Sequence, residues 1–325
     1  MNGTTPRGSP RPVPGGPLSF GKLKIPRGAD AGRGGTWQPV AYLFIAPAVI
    51  LFAIFVVVPI FASLYLSFTK YDVLHPPRWV GLSNFITLLT NDPRFWKAFR
   101  NTVSYVLGVV PIGVSIALVL AAALEELTRG KQIFKVLYFI PTVTSVVAIS
   151  VVWKWLFAGE KYGLINYFLI QLGLQPIDWL LSPQWILPAI MIVSIWAGLG
   201  YNMVFFSAGI STIPSTLYEA AKVDGAGWWE RFWHVTVPML RPTLIFVVVM
   251  SVINSFQVFD QAYILTGGTG EGVGGVLDSG LTLVSYLYEQ GFQHFRMGYA
   301  SAIAYLMFGC VFGLTLVNLR MLRSR

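Results

Sequence analysis

The chain has 325 residues, 55% of them hydrophobic and only 11% charged, with a mean hydropathy of +0.64 and a formal net charge of +9. That is more apolar than a soluble globular domain, and it places the chain in a membrane. A single cysteine, Cys310, excludes internal disulfides and cysteine-based metal clusters, and the three histidines, His75, His234 and His294, are too scattered to suggest a metal site of another kind.

Residues 1–37 are rich in Pro, Gly and Arg and have no apolar periodicity, which predicts a disordered basic tail that leans on anionic lipid. The apolar run after Trp37 is far longer than the core of a signal peptide and starts late, so a cleaved leader is not expected. Runs free of Asp, Glu, Lys and Arg cover residues 34–69, 101–124, 136–153, 179–218, 242–259 and 297–319. Each contains roughly 18 to 25 residues of apolar helix, the length a bilayer core requires. The expectation is an all-α, polytopic membrane domain over residues 38–325, with six spans at about 40–68, 101–124, 134–157, 186–210, 243–264 and 297–319. The uncharged but short stretch 162–177 reads as an amphipathic helix on the outer surface.

The positive charge reads as orientation and not as affinity for nucleic acid. With the N-terminus inside, the cytoplasmic segments hold fifteen of the 23 Lys and Arg residues, so both termini are expected in the cytoplasm. Lys154 closes span three, from where its amine can snorkel to the outer interface.

Between spans four and five lies a polar, helix-forming stretch, residues 219–242, that is much longer than a connector needs to be. Thr216 followed by Glu219 has capping-box spacing and predicts a helix start near Thr216. Asp224-Gly225 offers a break, Trp228, Trp229, Phe232, Trp233 and Val235 supply apolar surface for a second short helix, and Pro238 and Pro242 are expected to end it. Two readings stand for this hairpin: a docking surface for a cytoplasmic partner, and an interfacial helix anchored by its tryptophans.

In span five, Ser251, Asn254, Gln257 and Gln261 recur at spacings of three or four and share one helical face, with Asn254 about 17 Å in from Thr243, near the midplane. Asp260 and Tyr263 flank its outer end, and Trp196 and Asn202 of span four are the residues expected to face it. Amides both donate and accept, and rings cover C–H faces, a combination that suits a polyhydroxylated ligand. Interhelical hydrogen bonding within the bundle is the competing reading, and Gly198 and Gly200 are expected to allow close helix packing. No intramembrane Lys or Arg is evident except Lys154, which favours a neutral solute. No phosphate-binding loop is present, so the chain is not expected to hydrolyse ATP. Residues 270–275 match a dinucleotide fingerprint only in letters; without a strand-turn-helix context they read as a flexible turn. No catalytic residue, metal or cofactor is assigned.

The hairpin resembles the EAA loop of binding-protein-dependent ABC importer permeases. Its Glu219, Ala220, Ala221, Gly225 and Pro238 stand at that loop's spacing, and Asp224 and Ala226 extend the similarity to the carbohydrate branch. The Phe259-Asp260 pair and the Thr266-Gly267-Gly268 turn are similar to the same branch, whereas the Gly-rich insert that follows departs from it. The resemblance runs from about Tyr42 to the C-terminus. It implies a permease for a sugar, oligosaccharide or polyol in a bacterial or archaeal cytoplasmic membrane, working by alternating access. The partners it implies are a second homologous permease, a pair of cytoplasmic ATPases docked on Glu219, Ala220, Ala221, Asp224, Gly225, Ala226 and Pro238, and an extracytoplasmic solute-binding protein. From another class, the alternative is a secondary transporter driven by an ion gradient; no repeat is evident, and Asp260 alone offers a relay residue.

Overall fold

The computed structural model describes Gly3 and residues 39–127, 129–159, 162–267 and 272–323. The rest of the expected tail and residues 268–271, which hold Gly268 of the expected turn and the start of the Gly-rich insert, lie outside them. The chain divides into two units at Ala53. Helix α1 (Pro39–Phe52) belongs to the first. The second is almost wholly helical: α2 (Val58–Ser67), a two-stranded ribbon of β1 (Thr69–Lys70) and β2 (Arg78–Trp79), α3 (Ser83–Thr90) and the 34-residue α4 (Pro93–Glu126). There follow α5 (Lys131–Val143), α6 (Val146–Leu156), α7 (Leu164–Gln171) and α8 (Ile186–Ile210). The short α9 (Ser215–Val223), α10 (Trp228–Arg231) and α11 (Val237–Met239) lead into α12 (Arg241–Phe256), α13 (Asp260–Thr266), α14 (Leu283–Tyr288) and α15 (Met297–Arg323).

Among the described residues, four helices are long and apolar enough to cross a bilayer: Tyr42–Ser67, Pro93–Glu126, Ile186–Ile210 and Met297–Val317. Two bent pairs raise the number to six if each is one span. Phe61, Leu107, Val143 and Phe308 are among the large apolar side chains left exposed, the inverse of a water-soluble surface and the expectation for lipid.

One bend separates α5 from α6 by 97°, where a single straight span is expected from hydropathy. Pro141 removes one rung of the α5 ladder, and the Thr144 hydroxyl, at 2.8 Å, takes the Ile140 carbonyl that ends it. A second break falls at residues 257–259, between α12 and α13, inside what the sequence presents as span five. There the Val258 carbonyl accepts from the Thr282 hydroxyl at 3.1 Å, which meets the rule that backbone freed at membrane depth must find another partner. Lys154 does not simply reach for the interface: its amine donates to the Gly267 carbonyl at the end of α13.

Helices α4 and α8 pack along each other and hold much of the core, including Val110, Val114, Ile190, Val193 and Phe206. At Gly200, helix α5 comes so close that a Cβ would stand 2.2 Å from the Tyr138 carbonyl oxygen. Gly198, by contrast, has open space beside it, so of the two glycines only Gly200 packs.

The N-terminal end of α4 is bound into a polar cluster. Asp92 caps α4 by accepting from the Phe95 amide at 3.0 Å, and it also accepts from the hydroxyls of Tyr286 and Tyr299 at 2.6 and 2.5 Å. Burial, reinforced by the Asp92 carboxylate, pushes the Tyr286 hydroxyl well above the usual phenol range, so it stays a donor. Two residues on, Arg94 forks onto Asp278 at 2.8 and 2.9 Å, pairs with Glu289 at 3.1 Å, and lies over the Tyr286 ring. Asn101 donates to the carbonyls of Asp278 and Leu281. These bonds hold Leu277 and Asp278 at φ of 51° and 56°, left-handed backbone that side-chain-bearing residues adopt only under constraint. Asp92→Ala, which removes the cap and the acceptor of two phenols together, is expected to cost about 2 to 4 kcal/mol. The measurement is the midpoint of heat unfolding in detergent; an unchanged midpoint would mean this cluster does not hold the end of α4.

Candidate functional site

The hairpin between α8 and α12 is built on one glycine. After α9, the Ala226 amide reaches back to the Ala221 carbonyl at 2.9 Å and the Gly225 amide to the Lys222 carbonyl at 3.1 Å, the paired bonds of a Schellman stop. That geometry needs a left-handed residue, and Gly225 supplies it at φ 80°. The helix then restarts at α10, where the Glu230 carboxylate accepts from the Gly227 amide at 2.7 Å.

Two expectations about the hairpin are corrected. Helix α9 does start near Thr216, at Ser215 behind Pro214, but Thr216 makes no capping bond, because Pro214 already turns the chain and its carbonyl takes the Leu217 amide. Nor does Pro238 end the second helix. The helix runs on from Trp228 through a π turn, Phe232–Thr236, and ends at Met239, one residue past Pro238. Pro242 opens α12, and the two segments meet at 75°.

Helix α9 buries none of its residues. Glu219, Ala220, Asp224 and Gly225 are exposed, while Ala221 and Ala226 are half-buried. Ala221, Asp224, Gly225, Ala226, Arg231 and His234 line a concavity of about 350 Å³ in the elbow of the hairpin. Phe232 is buried and stacks on Trp228 at 5.5 Å, but Trp229 and Trp233 are more than half exposed, so the aromatic group anchors on one side only. The Tyr218 and Thr236 hydroxyls, 3.0 Å apart, bridge the arms, and Arg231 reaches Glu126 at the end of α4 at 2.6 Å.

The polar stripe lines a cavity of about 590 Å³. Its walls come from α4, α5, α6, α8, α12, the break before α13 and the first turn of α13. Ser251, Asn254, Gln257 and Gln261 all reach it, joined by Asp260 and, from α8, by Asn202. The break at 257–259 turns Gln257 and Gln261 toward the same space although they no longer share one continuous helix with Asn254. Among the described residues, none of the side chains of Asn202, Asn254, Gln257, Asp260 or Gln261 makes a hydrogen bond, so their donors and acceptors are open to a ligand and do not glue helices of this chain together. No Lys, Arg or His lines the cavity.

Trp196 and Tyr263 are not in its wall. Trp196 packs edge-on against Trp153 at 5.6 Å, and Tyr263 stacks on Phe259 at 5.2 Å and meets Tyr288 edge-on at 5.4 Å; these ring contacts hold both away from the cavity. The rings that do line it are Phe259, Tyr105 and Tyr201. Sequence reasoning misses Tyr105, whose only signal is a lone phenol in the aliphatic run after Asn101. A second cavity, of about 600 Å³, lies between α5 and α8, but apart from Glu125, Lys131 and Lys135 at one end it is lined mainly by carbon and offers little to a hydroxylated solute.

Residues 109–321 match the family described as binding-protein-dependent transport system inner membrane component. The chain is 39% identical over 278 residues to the probable ABC transporter permease protein YesP of Bacillus subtilis (strain 168), covering 85% of this chain and 88% of that one. It is 38% identical over 271 residues to the lactose transport system permease protein LacF of Rhizobium radiobacter, covering 82% and 88%. Its fold is similar to a chain of a bacterial ABC transporter involved in the import of the acidic polysaccharide alginate, with a TM-score of 0.77 at 24% identity over 88% of this chain and 95% of that one.

Proposed function

The chain belongs to the family of inner membrane components of binding-protein-dependent transport systems, and from that premise we propose that it is a permease subunit of an ABC importer for a sugar, oligosaccharide or related polyol. It is not itself an enzyme; ATP hydrolysis belongs to a separate ATPase. The observation that carries the solute class is the cavity whose amides have no partner and which no cationic side chain enters. Hydroxyls of a neutral ligand can meet both functions of each amide, Phe259, Tyr105 and Tyr201 offer faces to its C–H groups, and the volume is within the range of about 300 to 1,000 Å³ usual for small-molecule sites.

In this reading the chain crosses the bilayer six times, with α5 and α6 counted as one span, α12 and α13 as another, and both termini in the cytoplasm. The hairpin then lies inside, where Glu219 to Ala226 fit a cleft of a cytoplasmic ATPase, and the Arg94 cluster lies outside. Closure of an ATPase pair pulls on the hairpin, and the spans around the cavity change which side of the membrane they open to. A solute-binding protein supplies the ligand from outside, and a second permease completes the pathway. Residues 267–275 and the basic tail have no assigned part in the cycle.

The test is uptake by proteoliposomes that hold the purified complex, using labelled neutral disaccharides beside a uronate and a phosphorylated polyol. ATP-dependent uptake of a neutral sugar, with the anions at least about tenfold poorer, is the expected result. Preference for an anion would overturn the solute class, and uptake that proceeds without ATP under an ion gradient would replace the importer reading with a secondary transporter.

A further inference from the structure

Helix α4 ends on two adjacent carboxylates that bind in different directions. Glu125 takes Lys131 and Lys135 of α5, the latter at 2.8 Å. Glu126 takes Arg231 of the hairpin at 2.6 Å, across 105 residues of chain. The Arg231 side chain is only 13% exposed, its Nε is buried with no partner, and its other bond, to the Ala226 carbonyl, is long at 3.5 Å. This guanidinium therefore depends on Glu126 for most of its compensation, and a partly buried charge that loses its partner does not stay where it was.

The far reach of the same two helices is what gives the pair a role. Helix α4 runs continuously, with Pro111 inside it, from Glu126 back to the cavity, where it supplies Val114 before that proline and Val109 and Tyr105 beyond it, and α5 supplies Pro141 and Thr142. The hairpin itself contributes nothing to the cavity wall. We propose that Glu126 is a positioning residue of the transport cycle: through Arg231 it passes displacement of the hairpin to α4, and the neighbouring Glu125 passes it on to α5, so that two walls of the cavity move with the hairpin. The chain-adjacent helices α8 and α12 are thus not the only carriers of the stroke. This inference rests on the hairpin being where an ATPase docks.

The experiment needs no knowledge of the solute. Val109→Cys, in a Cys310→Ser background, places a thiol on the α4 wall of the cavity, and its rate of labelling by a water-soluble maleimide is measured in the purified complex with and without ATP and vanadate. With Glu126 intact, nucleotide is expected to change the rate at least about fivefold, the lower end of ordinary coupling between sites. Glu126→Gln should keep the ATPase bound but abolish that dependence, Glu126→Asp should keep part of it, and Glu126→Arg combined with Arg231→Glu should restore more than either change alone. A merely structural bond would move assembly and labelling together. Nucleotide dependence that survives Glu126→Gln, or that is absent with Glu126 intact, overturns the proposal while leaving the docking reading in place; a preparation with Glu126 intact that holds no ATPase overturns the docking reading and this inference with it.

Discussion

Gly225→Pro is expected to strip the ATPase from the complex while leaving the permease in the membrane. Proline fixes φ near −65°, opposite in sign to the 80° found at Gly225, and it removes the amide that closes the turn onto Lys222. The Schellman stop cannot form, and the cost of about 3 kcal/mol falls on an exposed hairpin with few contacts to spare, enough to weaken docking about a hundredfold. Gly225→Asn is the control: asparagine tolerates left-handed backbone, so it should retain most of the ATPase. The measurement is the yield of co-purifying ATPase from mild detergent. Equal yields from the unsubstituted chain and from Gly225→Pro would mean that the exposed face of α9 is not the docking surface.

Asn254→Leu with Gln257→Leu is the second large effect. Both side chains stand in the open cavity without protein partners, so replacing them costs the fold little. If each gives up one or two bonds to a hydroxylated solute, at about 1 kcal/mol apiece, apparent affinity for uptake should fall about thirtyfold to a thousandfold. Subunit recovery is measured alongside and should not change. An unaltered affinity would remove the stripe from the site and return it to helix packing, against a partner chain.

The parts of this molecule legible in the sequence are those whose cause is local. A Schellman stop requires glycine at one position, so Asp224-Gly225 announces the elbow of the hairpin. The spacing of Ser251 and Asn254 is enough to put both on one helical face. Hydropathy, however, measures length and not straightness. It gives no sign that the chain turns by 97° between Val143 and Val146, or that Gln257 to Phe259 leave the helix. Thr216 does not cap because Pro214 has already set the helix start, and Trp196 and Tyr263 are drawn off by Trp153, Phe259 and Tyr288, rings whose pairing no spacing announces. Tyr105 and the Glu126–Arg231 bond belong to a last class, contacts between remote segments, for which no local pattern exists.

The break before α13 also says something about how the chain is made. Helix α12 has 16 residues, about 24 Å of rise, which is short of a bilayer core by itself. The Val258 carbonyl at its end is answered by Thr282, a residue synthesised 24 positions later. This span therefore draws on the segment that carries Thr282 as well as on its own apolar length, and a chain cut off before that residue leaves the carbonyl unanswered.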